Sequence, residues 1–551
     1  MNITAHHRLF LLFITCTFGV GCSSGGGDGN GGSGGGSSLA VGTTAANFGV
    51  IGNTYTSTLT AVNGTAPFTW SITGGSLPAG LSLNPSTGVM TGMPAAAGNT
   101  TVTIRVVDSA GNSATGPLLV AVYTRTGRVS VDGNGAPGNG ISSSPSLNAD
   151  GSLVGFSSQS TNLVPGVNGA QVYVHNRQTG QMELISRDNG AAVVVQGNGA
   201  SSAPVISANG QFVVFVSQAT NLLGPGTPSI SSGQQIYVRD RQNGVTTLVS
   251  VDNAAVPNPG NGLSSAPAIS SDGRFVAFVS QATNLLSPGT STIPSGQQVY
   301  VRDRQNGLTT LVSVENATIS NPGNGVSSAP VISADGQFVA FASLASNLLP
   351  AGIPVGVNQQ IYLRDRQGNQ TSLVSVDNNS PPNAGNGVSH APSINGDGTI
   401  IAFDSLATNL LAPGNPSITG QQVYIRNRSL NQTNLVSADN NVVALSGNGT
   451  SQSASVSSDG RYVAFASVST NLLAPAVSST SGQQVFVRDR QFSLTTMGSQ
   501  DNSSTTSAGN APSNSPAMNG NGGFVAFASQ ASNLVTVPPI SQADLYVRAI
   551  P

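Results

Sequence analysis

From residue 125 onward, hydrophobic and polar positions recur with a single period. A turn marks each copy: Asp150-Gly151, Asn209-Gly210, Asp272-Gly273, Asp335-Gly336, Asp397-Gly398, Asp459-Gly460 and Asn521-Gly522. These lie roughly 62 residues apart, which is the spacing of a repeat architecture. A representative unit opens with Ser264-Ser265-Ala266-Pro267-Ala268-Ile269-Ser270 and turns at Asp272-Gly273. It returns as Phe275-Val276-Ala277-Phe278-Val279-Ser280, apolar at nearly every residue. A long loop beginning Ala282-Thr283-Asn284-Leu285-Leu286 leads to Val299-Tyr300-Val301-Arg302-Asp303-Arg304, and a glycine turn leads to Thr309-Thr310-Leu311-Val312-Ser313-Val314. The unit predicts four antiparallel strands, one propeller blade. The continuous apolar run of the second strand fits a sheet covered on both faces by neighbouring blades.

The last unit reaches its third strand at Leu545-Tyr546-Val547-Arg548, followed only by Ala549, Ile550 and Pro551. A matching fourth strand stands ahead of the first unit. Arg128-Val129-Ser130-Val131-Asp132 corresponds to Leu311-Val312-Ser313-Val314-Glu315. The expectation is a seven-bladed β-propeller over 125–551, closed by its N-terminal strand, because an open ring would expose an unpaired sheet edge. The turn unit Ser333-Ala334-Asp335-Gly336-Gln337-Phe338-Val339-Ala340-Phe341 resembles the repeat of TolB-like propellers, and the resemblance covers 125–551. Many such propellers carry acids in the loop before the third strand. Here that loop reads Ser295-Gly296-Gln297-Gln298 or Thr419-Gly420-Gln421-Gln422, and only Asp544 is acidic. A hard cation needs several oxygen ligands, so neither a calcium site nor any other metal or cofactor is expected.

Residues 39–124 show shorter alternating strands. Ala66-Pro67-Phe68-Thr69-Trp70-Ser71-Ile72, Leu77 to Leu83, Thr87 to Pro94 and Thr101 to Asp108 together resemble a bacterial immunoglobulin-like domain related to cadherins. Trp70, the one tryptophan, is placed to fill the space between two sheets. Cadherin-type calcium binding needs several carboxylates, and these four segments hold Asp108 alone. The resemblance implies a spacer or adhesion module.

Residues 1–21 have the form of an export signal, with Arg8 ahead of the apolar run Leu9 to Phe18, a run too short to span a bilayer. Gly19-Val20-Gly21-Cys22 resembles the lipobox of bacterial lipoproteins, although Gly19 stands where an aliphatic residue is usual. The resemblance implies cleavage before Cys22 and lipidation of that cysteine, and Ser23 after it favours the outer membrane. Residues 22–38, nearly all Gly and Ser after the cysteine, form a flexible tether.

Composition narrows the chemistry further. Charged residues make up 7%, all 19 basic residues are Arg, and the net charge is −2. Nucleic acid is not an expected partner, since it requires a basic patch, and lysine chemistry is excluded. The only cysteines, Cys16 and Cys22, lie in the leader. The arginine-flanked acids Asp240, Asp303, Asp365 and Asp489 recur blade after blade and are expected in ion pairs or at solvated strand ends. His175 takes an arginine slot by repeat drift, and Phe492, on the short-turn face, is expected to pack locally.

One place breaks the repeat with chemistry-bearing residues. His390 replaces the serine of Ser265 and Ser328, and Asp404 replaces Val279 or Ala342. A three-residue turn between Asn395 and Thr399 sets residue 390 opposite 404, near the channel mouth on the loop-rich side. The pair could contribute to a ligand site or act as a base. A plain cross-strand polar pair is the simpler reading, and no catalytic residue is assigned. The expected function is that of a monomeric, lipid-anchored envelope protein whose propeller is a non-catalytic protein-interaction platform, with the sandwich as spacer. A surface adhesin is the alternative, and a lyase or hydrolase using the channel mouth is a third reading.

Overall fold

The computed structural model describes residues 38–550 apart from 191–194, 225–229, 231–232, 287–295, 317–320, 351–354, 412–417, 419, 441–444, 474–481, 503–506 and 537–541. Cys16, Cys22, the leader and nearly all of the tether lie outside the described residues. No described helix is long and apolar enough to cross a membrane.

Residues 40–123 form a β-sandwich. One sheet orders Gly49–Val50, Ser113–Tyr123, Gly98–Val107 and Thr69–Gly74; the other orders Tyr55–Thr58, Val89–Gly92 and Leu81–Leu83. Trp70, Met90, Ile104, Val106, Leu118 and Val120 fill the space between them. Gly88 supports the tryptophan: its φ is +69°, and a Cβ there would sit 2.7 Å from Trp70 Nε1. Asp108 closes a loop by accepting from the Thr65, Ala110 and Asn112 backbone N–H groups and from the Asn112 side chain. The Asn112 amide is the main cause that holds its carboxyl below the usual range.

The remaining strands form seven four-stranded antiparallel sheets. Blade 1 comprises Ser142–Leu147, Leu153–Ser158, Gln171–Asn176 and Met182–Leu184, and blades 2 to 6 repeat the order. Blade 7 comprises Ser513–Met518, Phe524–Ser529 and Asp544–Ala549, completed by Thr126–Arg128. Thr126 pairs with Arg548 and Arg128 with Tyr546, so the chain closes its own ring.

Three devices repeat around the ring. A second-strand Phe stacks on a third-strand aromatic in every blade, as Phe278 does on Tyr300 with centroids 5.8 Å apart. Burial of each such ring is worth roughly 1.5–3 kcal/mol. Backbone bonds link the first turns of neighbouring blades, from Ser271 N–H to Ala334 O (2.9 Å) round to Asn521 N–H to Ala149 O (3.2 Å). Each first strand also carries a β-bulge whose third residue has positive φ: Ser144, Ala203, Ala266, Ala329, Ala391, Ser453 and Ser515. Small side chains suit that backbone, and the bulge re-aims its neighbours.

Candidate functional site at the mouth of blade 5

First strands of successive blades contact one another and so surround the central axis. In blade 5 these strands are Ser389–Ile394 and Ile400–Ser405, with His390 directly opposite Asp404. The bulge at Ala391, φ +48°, immediately follows the histidine. His390 Nδ1 lies 2.9 Å from Asp404 Oδ2; the imidazole is about one-third exposed (36%) and the carboxylate is almost fully buried (1%). The Asp404 hydrogen bond outweighs burial and holds the His390 pKa above its ordinary value.

Gln421 completes the arrangement by donating its Nε2 to the same Asp404 oxygen. Sequence reasoning missed it because the same glutamine stands at Gln234 and Gln359, where it donates instead to the Ser264 and Ser389 carbonyls of the next blade. Its role changes because Asp404 offers a nearer acceptor. The second carboxylate oxygen, Asp404 Oδ1, is buried without a hydrogen-bond partner among the described residues. A buried carboxylate left half-satisfied favours a protonated, hydrogen-bonded imidazole beside it. With Nδ1 engaged, Nε2 is the nitrogen left for a ligand.

The rim above the pair departs from the repeat as well. The residue after the second strand is Gln159, Gln218, Gln281 and Gln530 in four blades, but Leu344, Leu406 and Val468 in blades 4, 5 and 6. These three are 52%, 48% and 46% exposed. Leu406 N–H bonds to Val388 O, and strand alternation puts both on the same side as His390 and Asp404. The signal in the sequence lay in one slot compared across seven copies.

Other candidate residues serve the scaffold. The first arginine of each Arg-Asp-Arg run clips neighbouring blades together: Arg302 Nη1 donates to Asp252 O, Asn253 Oδ1 and Thr309 Oγ1 at 2.9–3.2 Å. The second reaches the turn glycine of its own blade and covers an aromatic ring of the preceding one, as Arg304 does with Gly273 O and Phe212. Asp303 and Asp489 pair with Arg274 and Arg461 of the first turn. Asp240 and Asp365 cap their turns by accepting backbone N–H groups. His175 is buried with neither nitrogen bonded among the described residues, and burial pulls its pKa down to about 4. Phe492, in the slot of the turn residue Asn243, packs locally against the Arg461 guanidinium, 5.2 Å from its ring, yet stays 69% exposed.

Asp544, the one acid ahead of a third strand, is engaged in an ion pair. It takes the slot of Gln171, Gln235 and Gln298 and pairs with Arg128, Nε to Oδ2 3.0 Å, both side chains buried. Arg128 in turn takes the leucine slot of Leu248 and Leu311 opposite the third-strand tyrosine. Ser130 Oγ donates to Asp544 Oδ1 at 2.9 Å. The closing blade thus exchanges a Gln–Leu combination for an ion pair across the joint.

The sandwich packs against the short-turn side of the same joint. Phe48 stacks on Phe524 at 4.2 Å and Tyr123 meets Phe524 edge-on at 5.3 Å. Arg177 lies 4.2 Å from both the Tyr123 and Phe524 rings. Phe524 is fully buried, whereas the equivalent Phe212, Phe275 and Phe338 are half-buried. Gly523 takes the slot of Gln211, Arg274 and Gln337 without needing a positive φ, and a Cβ there would lie 2.5 Å from Phe48 Cζ. The blade is therefore cut to fit the sandwich.

Residues 37–123 match the family described as Putative Ig domain. No curated protein matches the chain. Among solved structures it is similar to the putative TolB of Agrobacterium tumefaciens at 15% identity and TM-score 0.31, covering 54% of this chain and 80% of that one. It is similar to the Pyrococcus horikoshii acylaminoacyl peptidase at 12% identity and TM-score 0.39, covering 74% and 51%. For the periplasmic gluconolactonase PpgL of Pseudomonas aeruginosa the identity is 15%, the TM-score 0.31 and the coverage 78% and 94%. The chain spans about half the length of the peptidase. The chain is all-β, an immunoglobulin-like domain followed by a β-propeller, and the propeller assignment rests on the seven sheets themselves.

Proposed function

We propose that this protein is a lipid-anchored component of a bacterial cell envelope whose propeller is a non-catalytic platform for a protein partner. The observation that carries the reading is the distribution of departures from the repeat. Apart from single departures such as His175 and Phe492, they cluster at two places, the joint where the sandwich docks and the loop-side mouth of blades 4 to 6. The first place is occupied within the chain, which leaves the second for a partner. A surface that serves one ligand has to break a sevenfold ring, and scaffold residues do not. The sandwich acts as a stand that holds the propeller by its short-turn side, with Cys22 and the tether connecting it to the membrane. The outer membrane is the expected site, from Ser23 after the cysteine.

Site-specific photo-crosslinking in intact cells tests the platform. A crosslinker at residue 344 or 468 is expected to yield one discrete adduct, and one at residue 242 on the short-turn side is expected to yield none. Adducts from residue 242 alone would overturn the proposal.

A further inference from the structure

We infer that the mouth of blades 4 to 6 receives the C-terminal end of a partner chain, its carboxylate on His390 and its last aliphatic side chains along Leu344, Leu406 and Val468. The inference deepens the platform reading and rests on it.

Four slots frame the mouth in each blade: the residue before the first strand, the second residue of that strand, its partner on the second strand, and the residue after the second strand. Across all seven blades His390 and Asp404 are the only titratable residues in these slots. The arginines of blade 5, Arg426 and Arg428, belong to the opposite end of its strands, where Arg426 pairs with Ile401. No described charge other than Asp404 therefore faces His390 from these slots. The imidazole is fixed by Nδ1 to a buried carboxylate that Gln421 also holds, so its orientation does not depend on the ligand. An imidazolium held in this way presents Nε2–H as a donor, and the matching group is an anionic acceptor.

The aliphatic arc sets the remainder of the ligand. Leu344, Leu406 and Val468 replace the glutamine of the other four blades on three adjacent blades, and Val326, in a slot that is aliphatic in most blades, adds to them by bonding its carbonyl to Leu344 N–H. They lie on both sides of the histidine, so an occupant has its anionic group at the centre and apolar groups close beside it. A chain terminus meets that requirement, because its last residue carries both the carboxylate and a side chain. An internal segment has no charge of its own backbone to offer His390.

Ala-Gly-Val-Leu-Leu carrying a fluorophore on its N-terminal amine, as free acid and as amide, tests this by anisotropy with the full chain. The free acid is expected to bind about tenfold or more tightly than the amide, the loss of one charge-assisted hydrogen bond. His390→Ser combined with Asp404→Val should abolish that difference, and Leu406→Gln should weaken both peptides. Each variant carries only residues that other blades hold in the same slots, and unchanged thermal melts show that it folds. In the wild type, the free acid should also shift the His390 imidazole resonances. Octanoate separates the sources: binding of octanoate without the peptide overturns the chain-end occupant. Equal binding of acid and amide, or indifference to both variants, overturns the site. Crosslinks at residue 344 that persist in that case leave the platform reading standing and remove only this inference.

Discussion

Gly523→Gln restores the residue that blades 2 and 4 carry in this slot, and it should detach the sandwich while sparing the propeller. The new Cβ would approach Phe48 Cζ to 2.5 Å, below any tolerated contact, so Phe48 must leave its place on Phe524. The stacked pair at 4.2 Å is worth about 0.5–1.5 kcal/mol beyond burial. Re-exposing the half-buried Phe48 ring adds up to roughly 1.5–3 kcal/mol. A loss of about 2–4 kcal/mol follows, which raises the undocked population between about 30-fold and 1,000-fold. Tyr123 and Arg177 keep their own contact, so the closing strand should remain paired. Hydrogen exchange followed by mass spectrometry reads both effects: faster exchange over residues 45–51, unchanged exchange over residues 544–549. Phe48→Ala should reproduce the first effect without a clash. If Gly523→Gln leaves residues 45–51 as protected as in the parent, the glycine was not shaped by the sandwich and the docking argument fails.

The ion pair at the ring joint should behave as a matched set. Asp544→Gln leaves Arg128 buried without its charge partner and should cost about 3–5 kcal/mol. Adding Arg128→Leu, which restores the combination of the other blades, should recover most of it in a thermal melt. Burial pushes the Asp544 carboxyl up to about 6 against the pull of Arg128 and Ser130. A carboxyl raised in the fold binds its proton more readily folded than unfolded. Its contribution to stability is therefore greatest below the ordinary carboxylate range near ~4 and declines as pH rises through about 6, a slope that Asp544→Asn should remove. At the mouth, Asp404→Val should bring the His390 pKa, followed by NMR, down toward its ordinary value. The double change His390→Ser with Asp404→Val should move the melting temperature little, since a cross-strand pair is worth roughly 0.2–1 kcal/mol. Cys22→Ser should release the protein from membranes while Cys16→Ser should not, as intact mass and fractionation would show.

Blade architecture was legible because one pattern, repeated seven times, leaves little freedom. The apolar second strand and the turn glycine each follow from local chemistry, and the displaced fourth strand was legible in place, although its ladder is Thr126–Arg128 and shares only Arg128 with the expected Arg128 to Asp132. The facing of His390 and Asp404 came out as expected by a different route: the hairpin pairs Ile394 with Ile401, one residue off the three-residue turn between Asn395 and Thr399, and the bulge after His390 restores the register. Gln421 was not legible, since an identical glutamine does different work beside a different neighbour. The bulge residues such as Ala266 and Ala391 were also hidden, because alanine carries no sign of positive φ. Asp544 was misleading in isolation: it reads as a remnant acid of a cation loop until Arg128 is placed beside it across the ring. Gly523 was lost among 68 glycines, and only the approach of Phe48 from another domain gives it meaning.

The central claim is that the loop-side mouth of blades 4 to 6 meets the partner while the sandwich occupies the opposite side. Hydrogen exchange of the full chain, alone and in the complex isolated with its crosslinked envelope partner, tests this most directly. The account predicts new protection over residues 326–344, 388–406 and 450–468, with no change over 39–124. Protection confined to the sandwich or to the short turns near residues 241–245, with the mouth unchanged, would contradict it.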